Sequence, residues 1–338
     1  MSQLVRTVEE TDKTPRIISK LTDLPPALNP KLDMREMSGV IAAMAQFPFK
    51  LPRHVLGQLR DHGPSSPILR QFLPSAEETR DVPGFGHDPV GDRAANVIPG
   101  LLHKYPGRVL IVATGSCAVH CRYCFRRHFP YEESRLNSEA IDRILSYVQQ
   151  HSDIHEVILS GGDPLVLSVR RLGELLAGID AIAHVKRLRI HSRVPTVMPE
   201  LLTTEHLALL TSIRAKVVLV NHVNHPDELD DDSQRLFNQL RLGGVTLLNQ
   251  SVLLRGVNDD VDTLCRLSER LFEQGVLPYY LHQLDKVAGA AHFNVSEERG
   301  CKLMAQLRTR LPGYLVPHYV RETAGEISKL PVRCKDEK

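Results

Sequence analysis

Three cysteines crowd into eight positions in the stretch Cys117-Ala-Val-His-Cys121-Arg-Tyr-Cys124. Three thiolates from one short loop can hold three irons of a four-iron four-sulfur cluster, because thiolate is the normal ligand for such iron. The fourth iron is then open to a small molecule. Structural zinc is the competing reading, with His120 or His128 as the fourth ligand. The remaining cysteines, Cys265, Cys301 and Cys334, are scattered. A cluster of this kind in an intracellular chain points to metal or redox chemistry rather than to a disulfide framework. Cys265 and Cys301 fall in helical patterns, where inert core packing is expected.

The elements that position this loop follow from periodicity. From residue 108 onward, apolar β-rich runs recur at Arg108–Ala113, Glu156–Leu159, Arg187–Ile190, Val217–Val220, Val245–Leu248 and Tyr279–Leu281. Helical patterns lie between them. Ile141, Ile144, Leu145 and Val148 follow the cap candidates Asn137 and Ser138. Leu264, Leu267, Leu271 and Phe272 follow Asp259 and Asp260, and Leu303, Leu307 and Leu311 follow Ser296. Short apolar strands alternating with helices predict a parallel sheet with βαβ crossovers, and six units suggest an α/β partial barrel of the (β/α)6, TIM-like kind. Just past each strand come, in order, the cysteine cluster, SGGDP, HSR, NHVNHP, NQ and HQLD. Loops at the C-terminal face of such a barrel converge on one site. Residues 1–95 hold short amphipathic stretches, Met34–Gln46 and His54–Leu59, and read as a mainly helical N-terminal segment. Residues 96–338 read as the barrel and a C-terminal segment.

Composition excludes other classes. The 338 residues are 42% hydrophobic and 24% charged, with a formal charge of +2, so neither a nucleic-acid surface nor a basic tail is expected. The longest apolar runs are strand-sized, so no membrane span is expected. The first sixteen residues carry acidic groups and no apolar core, unlike a signal peptide, and the expected location is cytoplasmic.

The CxxxCxxC spacing at the end of the first barrel strand, with Tyr123 before the last cysteine, resembles the radical S-adenosylmethionine (SAM) superfamily. That resemblance implies that the open iron binds SAM and that cluster reduction releases a 5′-deoxyadenosyl radical. Gly161, Gly162 and Asp163 in LSGGDP match the superfamily's SAM-contacting turn. A narrower resemblance, to the lysine 2,3-aminomutase family, runs from about His103 to Val332. It rests on HKYPGRVL, CRYCFRR, LSGGDPL, HVNHP, NQSVLLRGVND, PYYLHQLD and Gly325 to Val332. It implies pyridoxal phosphate on Lys329 as a Schiff base, although such a lysine taken alone would be a solvated surface group. Arg126 would grip the substrate carboxylate, with Arg127 as a neighbouring alternative. Asp285 would take the ε-ammonium. Glu322 stands where the family has a second such aspartate, one methylene longer. Gln250 and His222 match SAM contacts, and Lys104 and Arg108 are candidate contacts to the coenzyme phosphate.

The family activity moves the amino group of lysine from C2 to C3. Free-lysine members continue into a cysteine-bearing zinc-binding tail. This chain has only Cys334 in that region, and Asp260 stands where a further zinc cysteine would fall. The pattern therefore resembles the shorter branch that makes β-lysine for modification of elongation factor P. It implies no structural zinc, a homodimer or small oligomer, and a flavodoxin-like or ferredoxin-like electron donor. The link to elongation factor P and its β-lysine ligase would be indirect. The alternatives are a metabolic aminomutase acting on free lysine or another amino acid, and, in a different class, a non-catalytic zinc-binding module.

Overall fold

The computed structural model describes residues 16–28, 32–59, 63 and 65–334. The N-terminal stretch read against a signal peptide lies almost wholly outside these residues, as does the extreme C-terminus. Ten strands form one sheet. In chain order they are β3 (Asn96–Ile98), β4 (Leu101–Tyr105), β5 (Arg108–Thr114), β6 (Glu156–Gly161), β7 (Arg187–Ser192), β8 (Lys216–Asn221), β9 (Thr246–Val252), β10 (Leu277–His282), β11 (His318–Arg321) and β12 (Leu330–Pro331). Neighbours in the sheet are neighbours in sequence throughout. β5 to β11 run parallel, while β3, β4 and β12 close the two edges antiparallel. The six strands expected from the apolar runs are present. A seventh parallel strand, β11, joins them.

This ordering shapes the molecule. Crossovers between parallel strands are right-handed, so strands that always add to the same side place every helix on one face. The sheet curls with helices outside and the other face inside, as in a partial barrel. The helices start where caps dictate. Asn137, Ser168, Asp230, Asp260 and Ser296 each accept a backbone N–H of the first turn that follows. Leu172, Leu175, Leu176 and Ile179 then pack on the strand residues Val157, Leu159, Leu188 and Ile190.

The N-terminal segment is less helical than its sequence suggests. It holds one long helix, Met34–Gln46, capped by Asp33 in a reciprocal box with Glu36. The stretch from His54 forms a 3-10 turn, Arg53–Gln58. Strands β1 (Ile17–Ile18) and β2 (Leu51–Pro52) pair separately. Leu51, Val55, Ile68, Leu69 and Phe72 join the same apolar cluster as the barrel strands, so this segment covers the barrel rather than forming its own core.

One cysteine expectation is corrected. Cys265 is buried in the core as expected, but Cys301 and Cys334 form a disulfide with Cα atoms 5.3 Å apart. The helix Glu297–Arg310 places Cys301 at its half-buried edge, where the chain after β12 passes within bonding range. Among the described residues no helix is long and apolar enough to cross a membrane.

Candidate active site

The inward face of the barrel encloses a cavity of about 550 Å³. Alternation along the strands decides what lines it: Glu156, Ile158 and Ser160 from β6, Arg187, Arg189 and His191 from β7, Tyr280 and His282 from β10. Cys117, Cys121 and Cys124 line it with Gly161, Gly162, Asp163, His222 and Gln250. Arg126, Lys104, Arg108, Asp285, Glu322 and Lys329 line the same space. Fourteen of the sequence's fifteen candidates thus share one cavity. Arg127 does not reach it. Its Nη2 donates to Glu78 Oε2 at 2.9 Å, in a buried pair that also holds Arg122.

The thiols fit a cluster better than a single ion. All three are unbonded to other sulfurs and half-buried. Burial, followed by the neighbouring thiols, pushes Cys117 up, and burial pushes Cys124 up to about 11. Crowded thiols that resist ionisation are stabilised as thiolates by bound metal. Four ligands at about 2.3 Å from one zinc would bring sulfurs closer than 4.8 Å. The cysteine trio is not a group of that tightness; among the described residues His54, Asp230 and Asp232 are. Neither candidate fourth ligand, His120 or His128, lines the cavity that the three cysteines line. His120 Nδ1 bonds the Pro48 carbonyl at 2.8 Å and its ring stacks on Phe47. His128 bonds the Ala288 carbonyl and stacks on His87.

The glycine pair has a packing reason. Gly161 has φ +110°, and a Cβ on Gly162 would lie 2.2 Å from the Ser116 carbonyl oxygen. The end of β6 is thereby pressed against the loop that leads into Cys117, with Gly162 N donating to Thr114 O at 2.7 Å. Asp163 ties this loop to the next. Its oxygens accept from Leu165 N, Ser192 Oγ, Arg193 N and Val194 N at 2.7–3.2 Å. This carboxylate acts through the backbone it holds.

Across the cavity runs a chain of alternating charges. Arg126 Nε donates to Asp92 Oδ2 at 2.6 Å, and Nη1 donates to Ser160 Oγ. Asp92 Oδ1 is 2.6 Å from Lys104 Nζ, which lies 2.8 Å from Glu322 Oε1. Glu322 Oε2 lies 2.5 Å from Lys329 Nζ. Burial alone would push the Glu322 carboxyl up, but the ammonium groups of Lys329 and Lys104 outweigh it and hold it well below the usual range. The same balance, with Arg126 and Lys104, lowers Asp92. Lys104 is committed to two carboxylates, which leaves Arg108, over the Tyr105 ring, as the freer candidate for a phosphate.

Asp285 differs. Burial, then the negative Glu322, pushes its carboxyl up to about 7. Burial also holds His191, His222 and His282 neutral, His282 with its value lowered to about 3. His222 Nε2 bonds the Tyr123 hydroxyl at 2.8 Å. Two residues not singled out in the sequence shape the site. Asp92 lies in an irregular stretch with no periodicity to mark it. Arg193 stands in the HSR loop, whose chemistry was visible only as a polar run.

A strand-ordered partial barrel with three clustered cysteines at its mouth defines a radical SAM protein, and the radical SAM superfamily model matches residues 111–267. The chain is 47% identical to the L-lysine 2,3-aminomutase of Escherichia coli (strain K12), over 86% of this chain and 85% of that one. It is 45% identical to the Haemophilus influenzae L-lysine 2,3-aminomutase, over 90% and 89% of the two chains. For the Clostridium subterminale L-lysine 2,3-aminomutase the identity is 35%, over 89% and 72%. The chain belongs to the lysine 2,3-aminomutase family, a family of isomerases whose cofactors are a four-iron four-sulfur cluster, SAM and pyridoxal phosphate.

Proposed function

We propose that this chain converts α-lysine to β-lysine, with Cys117, Cys121 and Cys124 holding the cluster and Lys329 anchoring pyridoxal phosphate. The observation that carries the reading is that Lys329 and the three cysteines line one cavity. When bound, the three cofactors supply hydrogen-atom abstraction from an unactivated carbon and a covalent handle for the migrating nitrogen. The protein's own part is placement. Arg126, steadied by Asp92 and Ser160, offers its remaining Nη2 edge to the α-carboxylate, a contact suited to guanidinium. Asp285 and Glu322 offer two carboxylates to the ε-ammonium. With both ends of lysine held, the carbons between them are fixed within the cavity that the cysteines line, and such orientation can supply a large share of the barrier reduction. The apolar lining from Ile158, Val218 and Leu248 excludes water from a reactive radical.

Glutamate as substrate would set a carboxylate against Asp285 and Glu322, so lysine is the better match. The proposed use of the product is modification of elongation factor P, supported by Asp260 standing where the free-lysine members would have a further zinc cysteine. The proposed electron source is a flavodoxin-like or ferredoxin-like protein.

Anaerobic reconstitution with iron, sulfide, SAM and pyridoxal phosphate, then incubation with lysine and dithionite, tests the activity; β-lysine is expected by chromatography. Its absence from fully loaded protein overturns the assignment. Adding elongation factor P and its β-lysine ligase tests the destination. A mass increase on elongation factor P is expected, and free β-lysine without that increase overturns this part alone.

A further inference from the structure

Arg193 follows β7 directly and is 6% exposed. Its Nη1 donates to Cys121 Sγ at 2.9 Å and to the Tyr123 hydroxyl. Its Nη2 donates to Gln71 Oε1 at 2.7 Å and to Glu228 Oε2 at 2.6 Å. The guanidinium lies over the Phe72 ring, 4.5 Å from its centroid. Its Nε–H is buried with no partner.

A buried arginine that serves only as a strut needs a carboxylate and satisfied donors. Arg122 is such a case: next to Cys121 in sequence, it is fully buried, bonded to Glu78 and to backbone carbonyls, and touches no thiol. Arg193 is built differently. Glu228 and Gln71 fix one edge of the fork, and the planar group then directs the other edge at a sulfur. Glu228 does not cancel the charge where it matters. Its second oxygen, Oε1, is shared among Asn224 N, His225 N and Gln71 Nε2, so its negative charge is drawn away from the thiol.

We propose that Arg193 raises the reduction potential of the iron–sulfur cluster through its hydrogen bond to Cys121. This rests on the reading that Cys117, Cys121 and Cys124 hold a four-iron four-sulfur cluster. The step is the transfer of one electron to the cluster from a low-potential iron–sulfur or flavin protein, or from dithionite, with no bond made and no proton moved. The added negative charge spreads onto the sulfurs, and a cation bonded to one of them stabilises the reduced form more than the oxidised. Arg193 is therefore a positioning and tuning residue rather than one that touches lysine.

The test is a redox titration followed by electron paramagnetic resonance on anaerobically reconstituted wild type, Arg193→Gln, Arg193→Lys and Glu228→Gln, each with iron and sulfide measured. Arg193→Gln is expected to titrate at least about 59 mV more negative, a tenfold shift in the one-electron equilibrium constant. Arg193→Lys, which keeps charge without the fork, should fall between it and wild type. Glu228→Gln keeps the arginine and strips its counter-charge, so its midpoint should move the opposite way. Loaded Arg193→Gln and Glu228→Gln proteins that titrate with wild type overturn the proposal. Where Arg193→Gln assembles no cluster, an unmoved Glu228→Gln midpoint overturns it equally. Wild type that takes up no iron and sulfide overturns the reading of the cysteine loop itself, a result distinct from an unmoved midpoint.

Discussion

Glu322 and Lys329 are seven residues apart, yet they face each other with Oε2 and Nζ at 2.5 Å. The antiparallel register explains this. Arg321 pairs with Leu330 across β11 and β12, so the next residue inward on each strand meets its counterpart. Gly325, at φ +83°, lies in the turn between them. Glu322 thereby holds both Lys329 and Lys104, and its removal leaves Lys104 to Asp92 alone and strips Lys329 of this carboxylate.

Breaking a buried ion pair from one side costs about 3–5 kcal/mol. Glu322→Gln is therefore expected to lower the thermal midpoint and raise KM for lysine at least tenfold. Glu322→Asp keeps the charge and shortens the arm by one methylene, so activity should be largely retained. Steady-state kinetics with a melting curve for each variant checks both. A Glu322→Gln enzyme with unchanged KM would sink the role given to this carboxylate.

Asp285 provides a pH signature. Its carboxyl is pushed up to about 7 by burial and by Glu322. Below that pH it is protonated in the free enzyme and cannot pair with an ammonium. Above it the charge is present. The affinity for lysine should therefore fall about tenfold for each pH unit below 7 and level off above it. Because the ammonium favours the charged form, lysine binding near pH 6 should also release a proton. Asp285→Asn should flatten the KM–pH profile while raising KM throughout. A profile identical to wild type in that variant would assign the titration elsewhere.

What was legible in the chain depended on repetition. The six apolar runs were readable because strands buried on both faces are continuous in Val, Ile and Leu, as in Val109–Val112 and Val157–Leu159. The seventh, His318–Arg321, mixes exposed and buried residues over four positions and has no such run. The cysteines and the SGGDP turn stood out by type and spacing. Asp92 did not, because its meaning lies only in the two cations it joins, Arg126 and Lys104, neither of which is near it in sequence. The same holds for Arg193, which reaches Cys121 from 72 residues away.

The disulfide was also illegible, since its cysteines are 33 residues apart and belong to different elements. Closing a loop of that length stabilises by about 3–4 kcal/mol in the chain-entropy account. It ties the segment after Lys329 to the helix Glu297–Arg310. Oxidised protein is therefore expected to melt higher than reduced protein, and Cys301→Ser should melt like the reduced form under both conditions. Thiol labelling with mass spectrometry reports which state is present. Equal melting of oxidised and reduced wild type would show that the bond adds no stability.

Gly162 offers the sharpest steric test of how the cysteine loop is held. A Cβ there would stand 2.2 Å from Ser116 O and 2.7 Å from Ser116 C. Both are backbone atoms and cannot rotate away, so the loop between Thr114 and Cys117 must move. Moving it also breaks the bonds from Gly162 N to Thr114 O and from Asp163 N to Ser116 O. Gly162→Ala is therefore expected to reduce iron and sulfide uptake several-fold after reconstitution. Gly244→Ala is the control for the alanine change itself: it has positive φ, which Gly162 does not, but meets no atom within 4 Å and lies far along the chain from the cysteines. That control should lose some stability through backbone strain and keep its cluster. Gly162→Ala protein that loads iron and sulfide as fully as Gly244→Ala would show that contact with Ser116 does not set the cysteine loop.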